Sequence, residues 1–569
     1  MGRKRKGTRP AAPDRRRPRD ETGTGPSAPS LLRSDPVGRS RWLLAAAAIA
    51  AAAILVNIPT LRYQFLSWDD SWYVTENPWI RAWSAENLRH IFTKPYFVSY
   101  MPLQLVSYMA DYSFWGLKPF GYHLQQILLH AIDSVLAFVL VRGLFGRFWL
   151  AAIAALLFAV HPSHVEAVAW VSARKDVLSA AFLLPAVYAY VKASAGRTLR
   201  KWPYLASLAL FALAVLTRVN VIVTPLFLVL VDFVSIRPPR RGGSYWLRIA
   251  ASKVPYAVIG FGIALVNWIV QPRSHASYAR NAIRYLVLKG HAAWDYFGIL
   301  TGIPRQNPIY DTPRVALDGS MAIHLAGLLF LPALFWIGYR RRDRVLALGA
   351  GWIFVMLLPA LFFPVLTYIA DRYLYLPSLG FCWILAAGVL SLSARLKKRT
   401  LRAAAAALLT AALTAYFGLR TARYNRVWEN SESLWTYTIE ASRDFRAYNN
   451  LARVRMEQDR WDDAERLFKL GSLQGNVTSW DGLTAVYYKK GRYAEALQAN
   501  DKALEMHALK PEDPKELAEL QYKRGSVLLA LSQSGKAIES FEAALRANPR
   551  HADAPRMLGL ARQAAGQSP

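Results

Sequence analysis

Residues 42–56 read WLLAAAAIAAAAILV, and residues 67–73, shortly after this run, read SWDDSWY. The first stretch carries no charge and predicts a membrane-spanning helix, which needs roughly 20 predominantly apolar residues. The second stretch places two carboxylates, Asp69 and Asp70, close to the end of that helix. A charge at the bilayer centre costs on the order of 2.5–3.5 kcal/mol on insertion scales, so we expect the pair at or above the membrane interface.

The composition agrees with a membrane protein. Of the 569 residues, 54% are hydrophobic and 19% are charged, and the 19 tryptophans and 28 tyrosines fit the aromatic belts of membrane interfaces. The formal net charge of +32 lies in short basic clusters between apolar runs, which indicates membrane topology rather than a nucleic-acid partner. The single cysteine, Cys382, excludes an intrachain disulfide framework and a thiolate metal cluster.

About eleven apolar runs are long enough, or nearly so, to cross a bilayer. They predict an all-α fold in which a polytopic helical bundle occupies residues 42–420. The runs start near Trp42, Leu124, Phe148, Val177, Trp202, Val219, Ile249, Met321, Val345, Tyr375 and Leu401.

The connections between these runs alternate in character. Short basic connections such as RPPRRGGSYWLR and GYRRRDR are predicted to be cytoplasmic by the positive-inside rule, and longer aromatic loops to be external. The basic, Pro- and Gly-rich tail, residues 1–41, is then a disordered cytoplasmic segment before an uncleaved signal anchor. The predicted external loops are 61–122, 161–176, 271–320 and 365–374.

Two segments of these external loops are helical in pattern but carry polar or charged residues. Residues 96–116 are amphipathic, and residues 281–303 contain four ionisable side chains. We interpret both as interfacial or re-entrant helices rather than spans.

Residues 421–569 follow a different period. Ala464, Ala496 and Ala537 are small residues at corresponding positions of three similar segments, spaced 32 and 41 residues apart. This pattern resembles the tetratricopeptide repeat (TPR), a helix–turn–helix unit of about 34 residues. The longer second interval is explained by the loop HALKPEDPK, 507–515. The stretch WENSESLWTYTIEAS, 428–442, looks like the second helix of a degenerate repeat. The stretch DAPRMLGLARQAAG, 553–566, looks like a capping helix. Such arrays bind peptides or pack against their own chain.

The adjacent carboxylates Asp69 and Asp70 are the first candidates for catalysis. Two carboxylates side by side disfavour joint ionisation, so one pKa tends to rise, which suits a general base near neutral pH. The alternative is a solvated acidic pair in an ordinary loop.

The loop HPSHVEAVAWVSARKD, 161–176, is the second candidate region. His161, His164 and Glu166 make a metal site conceivable, although metal-binding pairs more often occupy a defined helix face with a further ligand nearby. We favour a polar pocket without a metal at the external end of the bundle.

Four cations are predicted to converge on that external surface. Arg174 and Lys175 are placed to face an anionic group, with Asp176 as the N-cap of the next helix. Arg218 and Arg372 lie at external span ends, where a guanidinium can bind a phosphate through two hydrogen bonds or simply extend to the interface. Together they suggest a lipid phosphate held opposite a carboxylate.

The order of several motifs resembles the transmembrane-and-TPR protein O-mannosyltransferases, a branch of the polytopic GT-C glycosyltransferases. The resemblance covers the chain from about residue 42 to its C-terminus, and its most specific parts are HPSHVEAVAW with RKD and RYLYLPSLGF. The motifs are WDDSWYVTENPWI, MPLQLVSYMADYSFWGLKPFGYHLQQILLHA, FAVHPSHVEAVAWVSARKDVLSA, LTRVNVIVTPLFLVLVDF and ADRYLYLPSLGFCW.

The resemblance implies transfer of a sugar, generally mannose, from a polyprenyl-phosphate donor to Ser/Thr hydroxyls on the exoplasmic side, with inversion. The acidic pair of the family falls on Asp69 and Asp70, of which Asp70 is our preferred base. Arg372, Arg174, and Lys175 or Arg218 would stabilise the departing phosphate, so no metal cofactor is expected, and the repeat array would present the acceptor protein.

The Arg- and Ala-rich composition and low cysteine content favour a bacterial inner membrane with a periplasmic repeat domain. Two alternatives remain open. One is a GT-C transferase with a lipid or glycan acceptor, and the other is a non-catalytic membrane scaffold that uses the repeat array to gather partners.

Overall fold

The protein is described by a computed structural model in which the described residues form fifteen α-helices before the repeat domain. The structure describes residues 1–2, 38–97, 100–195, 199–235, 247, 249–270, 282–316, 318–362, 367–509 and 514–566. The predicted disordered tail therefore lies almost wholly outside the described residues. The helices of the first part are α1 Arg39–Asn57, α2 Ala85–Thr93, α3 Pro102–Trp115, α4 Pro119–Phe145, α5 Phe148–Ala159, α6 Val165–Ala169, α7 Arg174–Ser194, α8 Lys201–Thr217, α9 Thr224–Ser235, α10 Val254–Val270, α11 Ala282–Thr301, α12 Met321–Arg341, α13 Arg344–Phe362, α14 Pro377–Ser393 and α15 Arg399–Asn425.

Each predicted apolar run coincides with an apolar helical segment. In the described part of the chain, seven segments are long and apolar enough to cross a membrane, and α5 with Pro162–Ala169, bent by 51°, makes an eighth if the pair is one span. Three shorter apolar helices are Lys201–Thr217, Val219–Val234 and Pro377–Ser393. The seven are Arg39–Arg62, Pro119–Phe145, Val171–Ser194, Ile249–Ile269, Met321–Arg341, Arg344–Phe362 and Arg399–Trp428.

The bend after α5 has a local cause. Proline disfavours the α conformation in the residue before it, and His161, which precedes Pro162, is extended with φ −70° and ψ 129°. The bend redirects the chain, so that residues 161–173 lie across the end of the bundle instead of continuing α5. This segment is buried throughout.

The two segments expected to be interfacial are both helices. Residues 102–115 form α3, and residues 282–301 form α11, which is not one of the apolar spans. Gly290 of α11 packs directly on α12, since a Cβ there would lie 2.2 Å from the carbonyl oxygen of His324. The placement of both helices relative to the membrane stays a prediction.

The C-terminal part confirms the predicted helical repeat array. Ala464, Ala496 and Ala537 are fully buried on the second helices of successive pairs, as expected for small residues at close helix contacts. The predicted half-repeat and capping helix are α16 and α23, whereas residues 510–513 of the predicted insertion lie outside the described residues. The helices are α16 Ser431–Ala441, α17 Phe445–Glu457, α18 Trp461–Ser472, α19 Val477–Lys489, α20 Tyr493–Leu509, α21 Pro514–Ala530, α22 Ser534–Ala547 and α23 Ala554–Ala564.

The repeat array is joined directly to one end of the bundle. The predicted boundary at residue 420 falls within α15, which continues to Asn425. Beyond it, Tyr437 donates to the backbone oxygen of Gln306 (2.9 Å), and Ser442 donates to Asp311 (2.5 Å). The described residues of all four predicted external loops contact another of these loops or the array, so they lie together at this end.

Candidate active site

Asp70 is a buried and fully hydrogen-bonded carboxylate. Its Oδ2 accepts from the backbone N–H of Leu66 (2.9 Å), and its Oδ1 accepts from the backbone N–H (2.9 Å) and hydroxyl (2.5 Å) of Ser172. Burial raises the pKa of Asp70 to about 6, although these hydrogen bonds oppose the increase. The residue therefore ties the first predicted external loop to the second.

Asp69 lies in a different environment from its neighbour. It is half-buried, and no described residue donates a hydrogen bond to its carboxylate. Burial raises the pKa of Asp69, while the positive charges of Lys175 and Arg372 act to lower it. An available carboxylate with a raised pKa beside cations is suited to accept a proton from a substrate.

Arg372 is held beside Asp69 by a buried glutamate. Its guanidinium pairs with Glu166, and its backbone N–H donates to the other oxygen of that carboxylate (2.9 Å). Burial acts to lower the pKa of Arg372, but the charge and hydrogen bond of Glu166, together with Tyr373 and Asp69, outweigh it, so the pKa is raised. The side chain remains 13% exposed, whereas that of Glu166 is 1% exposed. Glu166 thus fixes the orientation of Arg372.

Arg218 is the second cation of this region and pairs with Asp176. Arg218 and Arg372 both lie against the ring of Tyr373, with their Cζ atoms 5.4 and 5.1 Å from its centroid. They line a small cleft of about 30 Å³, together with Asp176 and Tyr375. Two guanidiniums at one cleft form an environment that favours an anion such as a phosphate.

Lys175 completes the group of cations. Its Nζ lies 5.7 Å from the centroid of Tyr73, and it is within electrostatic range of Asp69, Arg218 and Arg372. The structure therefore brings together four residues that the sequence predicted: Asp69, Lys175, Arg218 and Arg372.

Arg174 does not belong to this group, which corrects the sequence prediction. Its fully buried guanidinium pairs with Asp111 and donates to the backbone oxygen of Tyr122 (3.0 Å). Its Cζ also lies 4.6 Å from the ring centroid of Tyr108. With its donors engaged and no exposure, Arg174 is positioned to stabilise the fold rather than to bind a ligand.

The predicted N-cap at Asp176 is also wrong. Helix α7 begins at Arg174, and Ala173 is its N-cap, so Asp176 lies within the first turn. There its carboxylate pairs with Arg218 across the cleft. Asp176 thereby neutralises part of the positive charge of the cleft.

The two histidines of the second loop are buried among backbone and hydroxyl partners. His161 hydrogen-bonds through Nε2 to the backbone oxygen of Leu300 (2.9 Å), and His164 through Nε2 to the hydroxyl of Ser378 (2.7 Å). In the part of the chain that the structure describes, neither histidine forms a hydrogen bond with Asp69. The described residues contain no group of three or more His, Cys, Asp or Glu arranged to hold a metal ion.

Two features of the site were not predicted from the sequence. Asp371, beside Arg372, is fully buried and accepts from Tyr310 (2.7 Å) and Gln306 (3.2 Å). Burial and the nearby Glu166 carboxylate raise the pKa of Asp371 well above its ordinary value. Tyr375, which lines the cleft, donates to Asp133 (2.7 Å). The only sequence signal for these features was the acidic residue of the ADRY stretch, Asp371.

Comparison with known proteins supports the resemblance of the motifs. The family model described as dolichyl-phosphate-mannose-protein mannosyltransferase matches residues 94–270, which include Lys175 and Arg218 but neither Asp69 nor Arg372. The crystal structure of ArnT from Cupriavidus metallidurans bound to undecaprenyl phosphate has a TM-score of 0.37 and 14% identity, over 82% of this chain and 80% of that one.

Curated relatives match a larger part of the chain. Protein O-mannosyl-transferase tmtc2 of Xenopus laevis is 26% identical over 65% of this chain and 54% of its own length. Human TMTC4 is 30% identical over 54% of this chain and 49% of its own length, and human TMTC1 is 26% identical over 74% and 54%. The chain spans about half the length of these relatives. By its motifs and these sequence matches, the chain is similar to the transmembrane-and-TPR protein O-mannosyltransferases.

Proposed function

We propose that the protein is a membrane glycosyltransferase that moves a sugar, mannose by analogy with its relatives, from a polyprenyl phosphate to Ser/Thr hydroxyls of exported proteins. The observation that carries the proposal is the available carboxylate of Asp69 beside Lys175 and Arg372. The name of the matching family model, which specifies a dolichyl-phosphate-mannose donor, supports the class of donor.

Asp69 is the base in this proposal. Its carboxylate accepts the proton of the acceptor hydroxyl as the hydroxyl oxygen forms a bond to the anomeric carbon. The bond between that carbon and the phosphate oxygen breaks, and its electron pair leaves with the lipid phosphate. Asp70 cannot take this role without losing the hydrogen bonds to Leu66 and Ser172. A single displacement by the hydroxyl inverts the anomeric configuration.

Arg372 and Arg218 stabilise the negative charge that develops on the phosphate, and Lys175 adds a third positive charge. Preorganised cations act most strongly where water is largely excluded, as in this partly buried cleft. Because a phosphomonoester is the leaving group, these cations are sufficient in the proposal, and no metal ion is required.

The arrangement of the loops supports a class of acceptor and a membrane orientation. The site lies among the described residues of the predicted external loops, which the positive-inside rule assigns to the side opposite the short basic connections. We therefore place the site and the repeat domain on the exoplasmic side, in the periplasm of a bacterial inner membrane, with the N-terminus cytoplasmic. The repeat array beside the site supports a protein acceptor.

The direct test uses the purified full chain in detergent, a polyprenyl-phosphate-linked mannose and a Ser/Thr-rich acceptor peptide. Intact-mass analysis should detect one hexose increment per modified hydroxyl. The Asp69→Asn variant should lose at least about 100-fold in kcat, because a positioned base typically contributes that much or more. Asp318→Asn changes an exposed aspartate outside the site and should keep full activity.

Cells with and without the protein distinguish the alternatives. Hexose increments on exported proteins that disappear on deletion support a protein acceptor. Changes confined to lipids or glycans would instead favour a transferase with another acceptor. An Asp69→Asn variant that fully replaces the wild type in cells would favour a non-catalytic scaffold.

A further inference from the structure

Trp68, the residue immediately before Asp69, lies in a cluster of tryptophans from three parts of the chain. Its ring stacks on Trp170 with centroids 4.4 Å apart and planes 19° apart. On the side of the repeat domain it meets Trp435 at 5.1 Å and Trp428 at 6.4 Å. Trp428 and Trp435 are both fully buried. We call Trp68, Trp170, Trp428 and Trp435 the tryptophan cluster.

The tryptophan cluster also reaches the cation that faces Asp69. The Cζ atom of Arg372 lies 5.4 Å from the ring centroid of Trp170. Trp68 is thus covalently joined to Asp69 as its neighbour in the chain, and Trp170 contacts Arg372 through its ring. The proposed base and one proposed phosphate-binding cation are supported by the same group of rings.

Hydrogen bonds attach the same loop to the repeat domain. The backbone N–H of Gln64 donates to the backbone oxygen of Glu429 (3.0 Å), and that of Ser67 donates to the hydroxyl of Ser431 (2.7 Å). The indole N–H of Trp435 reaches the hydroxyl of Ser67 at 3.4 Å. The segment from 64 to 68 is thus attached to the start of the repeat domain by both backbone and side chains.

We propose that Trp428 and Trp435 are positioning residues that hold Asp69 at its working distance from Arg372. The inference rests on the proposed function. If Trp428 and Trp435 have this role, the first elements of the repeat domain, residues 426–441, are part of the active site. They then do more than connect the bundle to an acceptor-binding domain. Rigid aromatic rings suit this role because their stacked geometry admits few alternative arrangements. A displacement of about 1 Å at a reacting group can cost on the order of 100-fold in rate.

The test compares three variants of the full chain in the peptide assay: Trp435→Ala, Trp435→Phe and the control Trp480→Ala. Trp480 lies on α19 of the repeat domain and is partly buried against the same hydrophobic core. Among the described residues it makes no aromatic-ring contact with the tryptophan cluster. We expect Trp435→Ala to lower kcat per folded molecule by on the order of 100-fold. The donor KM should change far less, and Trp435→Phe should restore most of the rate because it keeps a stacking ring.

Hydrogen exchange of the backbone amides gives a readout that does not depend on activity. In Trp435→Ala the amides of Gln64 and Ser67 should exchange faster, while those of α20 and α22 should keep their protection. In the Trp480→Ala control these loop amides should exchange as in the wild type.

The possible failures are distinguishable. An inactive wild type, or a fully active Asp69→Asn variant, would overturn the proposed function itself. If the wild type is active and depends on Asp69, an unchanged kcat per folded molecule in Trp435→Ala overturns the positioning role. Unchanged exchange at Gln64 and Ser67 overturns it as well.

Discussion

Ser172 donates two hydrogen bonds to one oxygen of Asp70, from its backbone N–H at 2.9 Å and from its hydroxyl at 2.5 Å. The residues are 102 positions apart, so this contact closes a large loop of the chain. It also separates the roles of two adjacent aspartates. Asp70 fastens the loop, and in the proposed function Asp69 acts on the substrate.

Ser172→Ala should therefore reduce stability more than catalysis. Loss of the hydroxyl leaves Asp70 with one fewer donor in a buried position, which typically costs about 1–3 kcal/mol of unfolding free energy. Thermal unfolding in detergent should show a lower midpoint, while kcat per folded molecule stays close to that of the wild type. A loss of kcat as large as that of Asp69→Asn, at unchanged stability, would contradict this division of roles.

The pH dependence of transfer should report on Asp69. Only the carboxylate accepts a proton, so kcat/KM should fall as the pH decreases through the pKa of Asp69. Since burial raises that pKa, the midpoint should lie above the ordinary value of 3.8. The charge of Lys175 acts to lower the pKa, so Lys175→Met should move the midpoint upward. A profile that stays flat down to pH 4 would contradict the assignment of Asp69 as the base.

Arg174 should contribute to stability and not to donor binding. Removing one member of a buried ion pair leaves its partner, here Asp111, uncompensated, and typically costs about 3–5 kcal/mol. Arg174→Met should thus lower the unfolding midpoint strongly, and Arg174→Met with Asp111→Leu should recover part of the loss. Donor KM, measured on the folded fraction, should stay unchanged. A raised donor KM in the double variant would restore the original sequence interpretation.

The outcome for Arg174 shows which features of the fold and site can be predicted from the sequence alone. The apolar runs and the small residues of the repeats predicted the helical architecture because bilayer thickness and close helix packing constrain residue type directly. The prediction that Asp69, Lys175, Arg218 and Arg372 meet followed from topology, which places loop ends on one side. Arg174 and Lys175 are neighbours on a helix, however, and only the rotation of α7 decides which one faces the site.

For a similar reason, the sequence could not decide which of Asp69 and Asp70 is the base. Both residues are equally acidic in the sequence, and we preferred Asp70 as the base. The structure separates them through Leu66 and Ser172, and Ser172 is a polar residue with no motif of its own. Long-range hydrogen-bond partners of this kind leave no periodic signal in a single sequence.

A chelator should not affect transfer. The proposed cations neutralise a phosphomonoester leaving group without a metal ion, in contrast to donors that leave as pyrophosphate. We expect equal rates in EDTA and in added Mg²⁺ or Mn²⁺, measured on enzyme that has been dialysed against chelator. A rate that falls in EDTA and recovers with one of these ions would contradict the metal-free mechanism.

The two guanidiniums of the cleft should differ in their tolerance of lysine. Arg372 bonds to Glu166 through both its side chain and its backbone and also contacts Trp170, so a lysine there loses the planar fork and the ring contact. Arg372→Lys should cost on the order of 100-fold in kcat, the scale found when a preorganised charge-stabilising donor is removed.

In the described part of the chain, Arg218 makes one ion pair, with Asp176, which an ammonium can also form. Arg218→Lys should keep most of the activity, whereas Arg218→Ala should not. Inhibition by free polyprenyl phosphate measures the phosphate site separately from chemistry, and its affinity should fall in Arg372→Lys and Arg218→Ala but not in Arg218→Lys. Equal inhibition of all three variants would show that the phosphate binds elsewhere, because a ligand held by these guanidiniums must lose affinity when they are removed.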